Sequence, residues 1–232
     1  MDDTAVGDSE KKLKLEMLSH EQARRFYDRM AAMQDAQYFL EKPALADLVA
    51  NLKPAAAERW IEFGCGTGRF VEELFVRYLP PNACYIGFDV SSTMIELARS
   101  RTARFGNRAV IRQTSGTMRV DLPDGVFDRF ISTYVLDLLS EEDIDSLLSE
   151  AYRVLRTGGL LGLVSQTKGS QGLSRFVMWT WERLYQFSPI LTGGCRPITI
   201  GSLLKNFRWK VRYRNVVSRF AFASEIVVAE KI

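Results

Sequence analysis

With 232 residues, 47% of them hydrophobic and 25% charged, the chain suits one globular domain with a full core. No apolar run approaches the ~20 residues that span a bilayer, and the acidic start Met1-Asp2-Asp3-Thr4 gives no expectation of a signal peptide. One histidine, His20, and three cysteines without CxxC spacing argue against a zinc cluster or a disulfide framework; Cys65, Cys84 and Cys195 read as reduced thiols of a cytoplasmic protein.

Residues 1–18 are expected to be a flexible segment. Ser19 with Gln22 resembles a capping box, and Ala23, Phe26, Tyr27 and Met30 then trace one helical face. A second helix is predicted from Pro43 to Leu52, ended by Lys53-Pro54. Arg59 to Phe63 reads as a buried strand that runs into Gly64-Cys65-Gly66-Thr67-Gly68 and then into a helix to about Tyr78, with Phe70, Val71, Leu74 and Phe75 inward. A turn so rich in glycine lets a ligand rest on bare backbone at a helix N-terminus. The spacing is GxGxG, not the GxGxxG of a dinucleotide site; Arg69 stands where the third glycine would be and would crowd helix against strand. Cys84 to Asp89 is the next strand, and a carboxylate at its end can accept from both hydroxyls of a ribose.

Ser91 is placed to cap a helix carrying Met94, Ile95, Leu97 and Ala98. Val110 to Gln113 is the third predicted strand and Phe127 to Thr133 the fourth. Ser140 starts a helix whose stripe is Ile144, Leu147, Leu148, Ala151 and Leu155; Gly158-Gly159 should stop it, and Leu160 to Ser165 should be strand five. Residues 171 to 187 read as a helix with a wide aromatic face including Trp179 and Tyr185. A turn at Gly193-Gly194-Cys195-Arg196-Pro197 and a short helix at Ile200, Leu203 and Leu204 follow. Trp209 to Val217 and Ser224 to Ala229 read as two closing strands. Strand-helix alternation at this pitch argues a parallel sheet with helices on both faces.

EFGCGTGRF followed by YIGFDVSSTMIELAR resembles motifs I and II of the class I S-adenosylmethionine-dependent methyltransferases, small-domain type, similar to those acting on quinones, phospholipid head groups or thiols. The resemblance implies an α/β, Rossmann-like, seven-stranded, mostly parallel sheet with an antiparallel C-terminal hairpin. It divides residues 19–232 into a helical lid (19–55), a cofactor-binding core (56–167), a substrate-cap insertion (168–208) and a closing hairpin (209–232). It places S-adenosylmethionine, leaving as S-adenosylhomocysteine, on Tyr27, Glu62, Gly64, Cys65, Gly66, Thr67, Gly68, Asp89, Val90, Met94, Ser115, Gly116 and Thr133, with no metal. The family's acidic residue after strand three is missing; Ser115 and Gly116 stand there.

An amine or thiolate acceptor needs no general base, whereas a hydroxyl does. Candidates are Asp137, Tyr134, Tyr27 and His20. Trp179, Tyr185 and Arg196 are the expected substrate-binding residues, with Arg196 suited to phosphate or carboxylate. Residues 156 to 223 carry eleven basic side chains against the single acid Glu182. That excess is either a solvated face or a surface for an anionic substrate or a peripheral membrane contact. The expected partner is a small molecule or lipid; Thr133-Tyr134-Val135-Leu136 does not match the Asn/Asp-Pro-Pro-Tyr motif of base methylation, so no nucleic acid is expected. The alternatives are a non-catalytic cofactor-binding partner or scaffold protein, and a nucleic-acid or protein methyltransferase.

Overall fold

The computed structural model describes residues 38–168, 195–204, 208–220 and 222–232, together with positions 21, 180 and 183. The expectations placed on residues 1–18, His20, the Ser19/Gln22 box, Tyr27, and the helix bearing Trp179 and Tyr185 lie outside the described residues.

Seven strands form one sheet: β1 (Arg59–Phe63), β2 (Cys84–Asp89), β3 (Ala109–Gln113), β4 (Phe127–Thr133), β5 (Leu155–Gln166), β6 (Trp209–Arg219) and β7 (Phe222–Lys231), in the order β3-β2-β1-β4-β5-β7-β6. The first five are parallel, and β7 lies antiparallel between β5 and the edge strand β6. The order reverses between β1 and β4, and in such sheets the crevice outside the strands' carboxyl ends at that reversal receives ligands. The seven-stranded Rossmann-like expectation holds.

Alternation along β1 divides the core in two. Trp60 points to the face covered by helix α1 (residues 38–52), α2 (Arg69–Arg77) and α3 (Ser92–Thr102), where it joins Leu48, Leu52 and Leu74. Ile61 and Phe63 point to the other face, where α4 (Glu141–Val154) supplies Ile144, Leu147 and Leu148. Helices thus cover both faces, which explains why β1 is buried over four of its five residues. α1 seats closely on β5: a Cβ added at Gly162 would stand 3.0 Å from Leu48 and Leu52. Arg129 of β4 ties the helix end by donating to the Leu52 carbonyl at 2.6 Å. No helix among the described residues is long and apolar enough to cross a membrane.

Ser91 caps α3 by accepting from the Met94 N–H, as its position predicts, and Ser140 does the same for α4 through Asp143. Two boundaries differ from expectation. α1 is helical from residue 38, so Pro43 lies inside it and does not start it. A proline there forfeits one intrahelical bond, while Tyr38, 8% exposed, is anchored by donating to Glu73 at 2.5 Å. α4 ends at Val154, and Leu155 turns to extended backbone and pairs with Phe127. Gly158 (φ 76°) and Gly159 then absorb a register shift inside β5 instead of stopping a helix. Leu155 is fully buried in the strand, as it would be in the helix, so the periodicity of its burial does not separate the two.

Candidate functional site

A cavity of about 190 Å³ opens where β1, β2 and β4 end. Its floor is the turn after β1, in which Gly64, Gly66 and Gly68 hold φ of 82°, 51° and 77°, the left-handed region that side-chain-bearing residues rarely enter. The N–H groups of Gly64 and Cys65 donate to the Phe88 carbonyl at 2.7 and 2.9 Å, fastening the turn to β2. Asp89 completes the fastening: Oδ2 accepts from Gly66 N–H at 2.8 Å and Oδ1 from Ser91 N–H at 3.0 Å. A carboxylate oxygen can accept more than one hydrogen bond, so these two bonds do not by themselves exclude a ligand. Gly64 is forced by a second contact, since a Cβ there would lie 2.1 Å from Cγ2 of Val135. Gly68 has a packing role: it does not line the cavity, and its Cβ would meet Ala98 of α3 at 2.8 Å.

Glu62 is buried at the floor and accepts a hydrogen bond from Tyr85. Burial pushes its acid up to about 8, with the Asp89 charge adding and the Tyr85 and Thr133 bonds opposing. Burial also raises the Cys65 thiol well above its usual range, so it is a packed apolar group and no thiolate. The other wall begins with Thr133 and Tyr134, the latter strained at φ 56° with its hydroxyl 2.9 Å from that of Ser224.

Of the residues expected to bind cofactor, the cavity brings together Glu62, Gly64, Cys65, Gly66, Thr67, Asp89, Val90, Met94, Gly116 and Thr133. Ser115 stays outside; it is exposed and its hydroxyl faces that of Thr117 at 3.5 Å. Asp137 is also behind the wall. It is 1% exposed and accepts from the Ser165 hydroxyl at 3.1 Å, and burial pushes its acid up to about 6. Arg196 does not line the cavity either: its guanidinium donates to the Leu139 carbonyl at 2.8 Å, and its N–H to the Asp137 carbonyl at 3.1 Å. An arginine in a turn satisfies local carbonyls as readily as an anion, and sequence position does not separate the two uses. No group of three or more His, Cys, Asp or Glu side chains among the described residues is arranged to hold a metal ion.

The sequence reading missed Tyr38, Glu41 and Leu45 of α1, together with Arg69, Met118 and Leu138, all of which line the cavity. Starting the helix at Pro43 cut the first two away from it. Tyr38, Glu41 and Leu45 do sit at i, i+3 and i+7, the spacing that would have placed them on one face. Arg69 lies over the Tyr38 ring, 4.6 Å from its centroid.

Residues 61–159 match the methyltransferase domain family. Demethylmenaquinone methyltransferase of Lactobacillus johnsonii is 28% identical over 140 residues, 60% of this chain and 55% of that protein. The tRNA N(3)-methylcytidine methyltransferase Mettl2 of Drosophila melanogaster is 26% identical over 149 residues, 60% of this chain and 46% of that protein. The chain spans about half the length of these curated relatives. Among solved structures, the 4+2 cyclase SpnF superposes with a TM-score of 0.69 at 17% identity, covering 93% of this chain and 97% of that one. Geranyl diphosphate methyltransferase, in complex with GPP and sinefungin, gives 0.67 at 13% identity, covering 92% and 99%. At such identities the likeness is one of fold.

Proposed function

We propose that the chain, whose residues 61–159 match the methyltransferase domain family, is of the class I S-adenosylmethionine-dependent kind and transfers a methyl group from that cofactor to a small lipophilic acceptor. The observation that carries the reading is the glycine turn fastened to Asp89, with both lining one cavity. The residues present fit this cofactor. Gly64 and Gly66, at positive φ, line the cavity without side chains, Asp89 is placed to accept from a ribose, and the Glu62 carboxyl lines the cavity as an acceptor for the amino end. When bound, the cofactor supplies an electrophilic methyl group on a sulfonium. The protein's own work is then alignment of the acceptor and exclusion of water.

A lipophilic acceptor is supported by the apolar part of the lining, which includes Leu45, Phe70, Met118, Val135, Leu138 and Leu139. It also agrees with a relative named for demethylmenaquinone. The anionic-headed alternative drew on Arg196, whose guanidinium is turned to Leu139. The surface adds a membrane contact to the reading. Phe39 and Phe220, 53% and 79% exposed, stack at 6.1 Å, with Arg219 placed 3.6 Å over the Phe39 ring. Phe39 lies on the same helix as Tyr38 and Glu41, and the apolar and cationic corner it forms with the end of β6 suits an anionic bilayer surface.

Calorimetry with S-adenosylmethionine tests the first step. Transfer of radiolabelled methyl into a lipid extract, an aqueous metabolite extract and bulk tRNA, with demethylmenaquinol as a defined acceptor, tests the second. Label in the lipid fraction is expected. Label only in tRNA or only in water-soluble products would sink the lipophilic reading, and binding without any transfer would favour a cofactor-binding partner protein.

A further inference from the structure

Four charged side chains line the cavity: Glu41, Glu62, Asp89 and Arg69. Glu62 accepts from Tyr85, Asp89 accepts from two backbone N–H groups, and Arg69 lies over Tyr38. Among the described residues Glu41 accepts no hydrogen bond. Its helix seats on β5 at Gly162 through Leu48 and Leu52, so Glu41 reaches the cavity from the β4–β5 side, where Tyr134 also lines it, whereas Asp89 ends β2. Arg196, the cation expected to meet the acceptor, does not line the cavity and is directed to the Leu139 carbonyl. A half-buried carboxyl with no hydrogen-bond partner among the described residues is satisfied by a ligand that donates one, and it repels a ligand that is anionic.

Building on the methyltransferase reading, we propose that Glu41 selects the acceptor: it takes lipophilic molecules whose head group is an N–H or O–H donor and rejects carboxylates and phosphates. Burial, with Asp137 adding to it, pushes the Glu41 acid up to about 7. A neutral or cationic donor therefore finds a carboxylate at little cost near neutral pH. For a hydroxyl head, the new bond joins the acceptor oxygen to the methyl carbon while the carbon–sulfur bond breaks with its electron pair going to sulfur. The displaced hydroxyl proton passes to the Glu41 carboxylate.

The test uses three probes with one apolar body: 1-naphthol, 1-naphthylmethylamine and 1-naphthoate, titrated into the full chain saturated with S-adenosylhomocysteine. The two donors should bind about ten- to hundredfold more tightly than naphthoate, the range expected for a hydrogen bond to a charged group. Glu41→Gln should narrow that ratio, and Glu41→Lys should reverse it in favour of naphthoate, a change that loss of packing would not produce. Equal binding of naphthoate by the wild type, an unchanged ratio in both variants, or no binding of any probe would overturn the assignment. So would a Glu41→Gln variant that weakens S-adenosylmethionine as much as it weakens the amine. If neither cofactor form binds, the methyltransferase reading fails instead, and the same ratio on the free protein still decides the role of Glu41.

Discussion

Replacing Asp89 by asparagine keeps the side chain's size and leaves one oxygen where there were two. Oδ2 now accepts from Gly66 N–H at 2.8 Å and Oδ1 from Ser91 N–H at 3.0 Å. The amide oxygen can serve one of these, and its NH₂ then faces the other N–H, donor against donor. A hydrogen bond to an ionised acceptor contributes about 1.5–3 kcal/mol. Both bonds are partly exposed, so water recovers some of the loss and the folded state should weaken by about 1–2 kcal/mol. Cofactor affinity should fall by about ten- to hundredfold, or about 1.4–2.8 kcal/mol, because the turn loosens and the ribose loses an acceptor. Denaturant melts measure the first effect, and calorimetry with S-adenosylmethionine and S-adenosylhomocysteine the second. Since the ribose is common to both molecules, both should lose equally. Undiminished affinity, or a loss confined to the sulfonium form, would refute the placement of the ribose at Asp89.

Gly64→Ala should abolish cofactor binding, because its Cβ would stand 2.1 Å from Val135 Cγ2 at a φ of 82°. Adding Val135→Ala should restore part of it and leave the conformational cost of about 1–2 kcal/mol; a single variant that melts and binds like the wild type would contradict the contact. Glu62 makes stability fall as pH rises. Its folded acid holds a proton to about pH 8, while the unfolded one releases it near its ordinary 4.5, so between these values the native state binds more protons. Glu62→Gln should therefore flatten the drop in urea midpoint between pH 5 and pH 8, leaving the smaller slopes from Glu41 and Asp137; an unaltered slope would count against the buried acid. In flotation with phosphatidylserine vesicles at low salt the wild type should rise with the lipid and Phe39→Ser/Phe220→Ser should not. Wild-type protein left in the soluble fraction would remove the membrane contact from the reading.

The electrostatic pattern shows how far a linear reading reaches. Eleven basic residues against one acid between 156 and 223 look like an unpaired cationic surface. The hairpin sets Arg212 against Glu230 at 2.5 Å and Arg214 against Glu225 at 2.6 Å, acids that lie just beyond that window. Arg156 reaches back to Asp128 at 2.6 Å. The excess that remains exposed is correspondingly smaller, and antiparallel pairing, which joins residues far apart in number, is the reason.

Order along the chain was enough to establish strands one, two and four, the glycine turn between β1 and α2, the Ser91 and Ser140 caps, and Asp89 at the end of β2. Each rests on interactions within a few residues or on a two- or 3.6-residue period. What tertiary packing alone decided is which side chains meet across the cavity. Asp137 and Arg196 were drawn behind its wall by Ser165 and Leu139. Tyr38 and Glu41 were brought onto it because α1 continues through Pro43 and seats against β5 at Gly162. Those contacts join residues that are not sequence neighbours, and their free energy depends on shape and burial that no local period encodes.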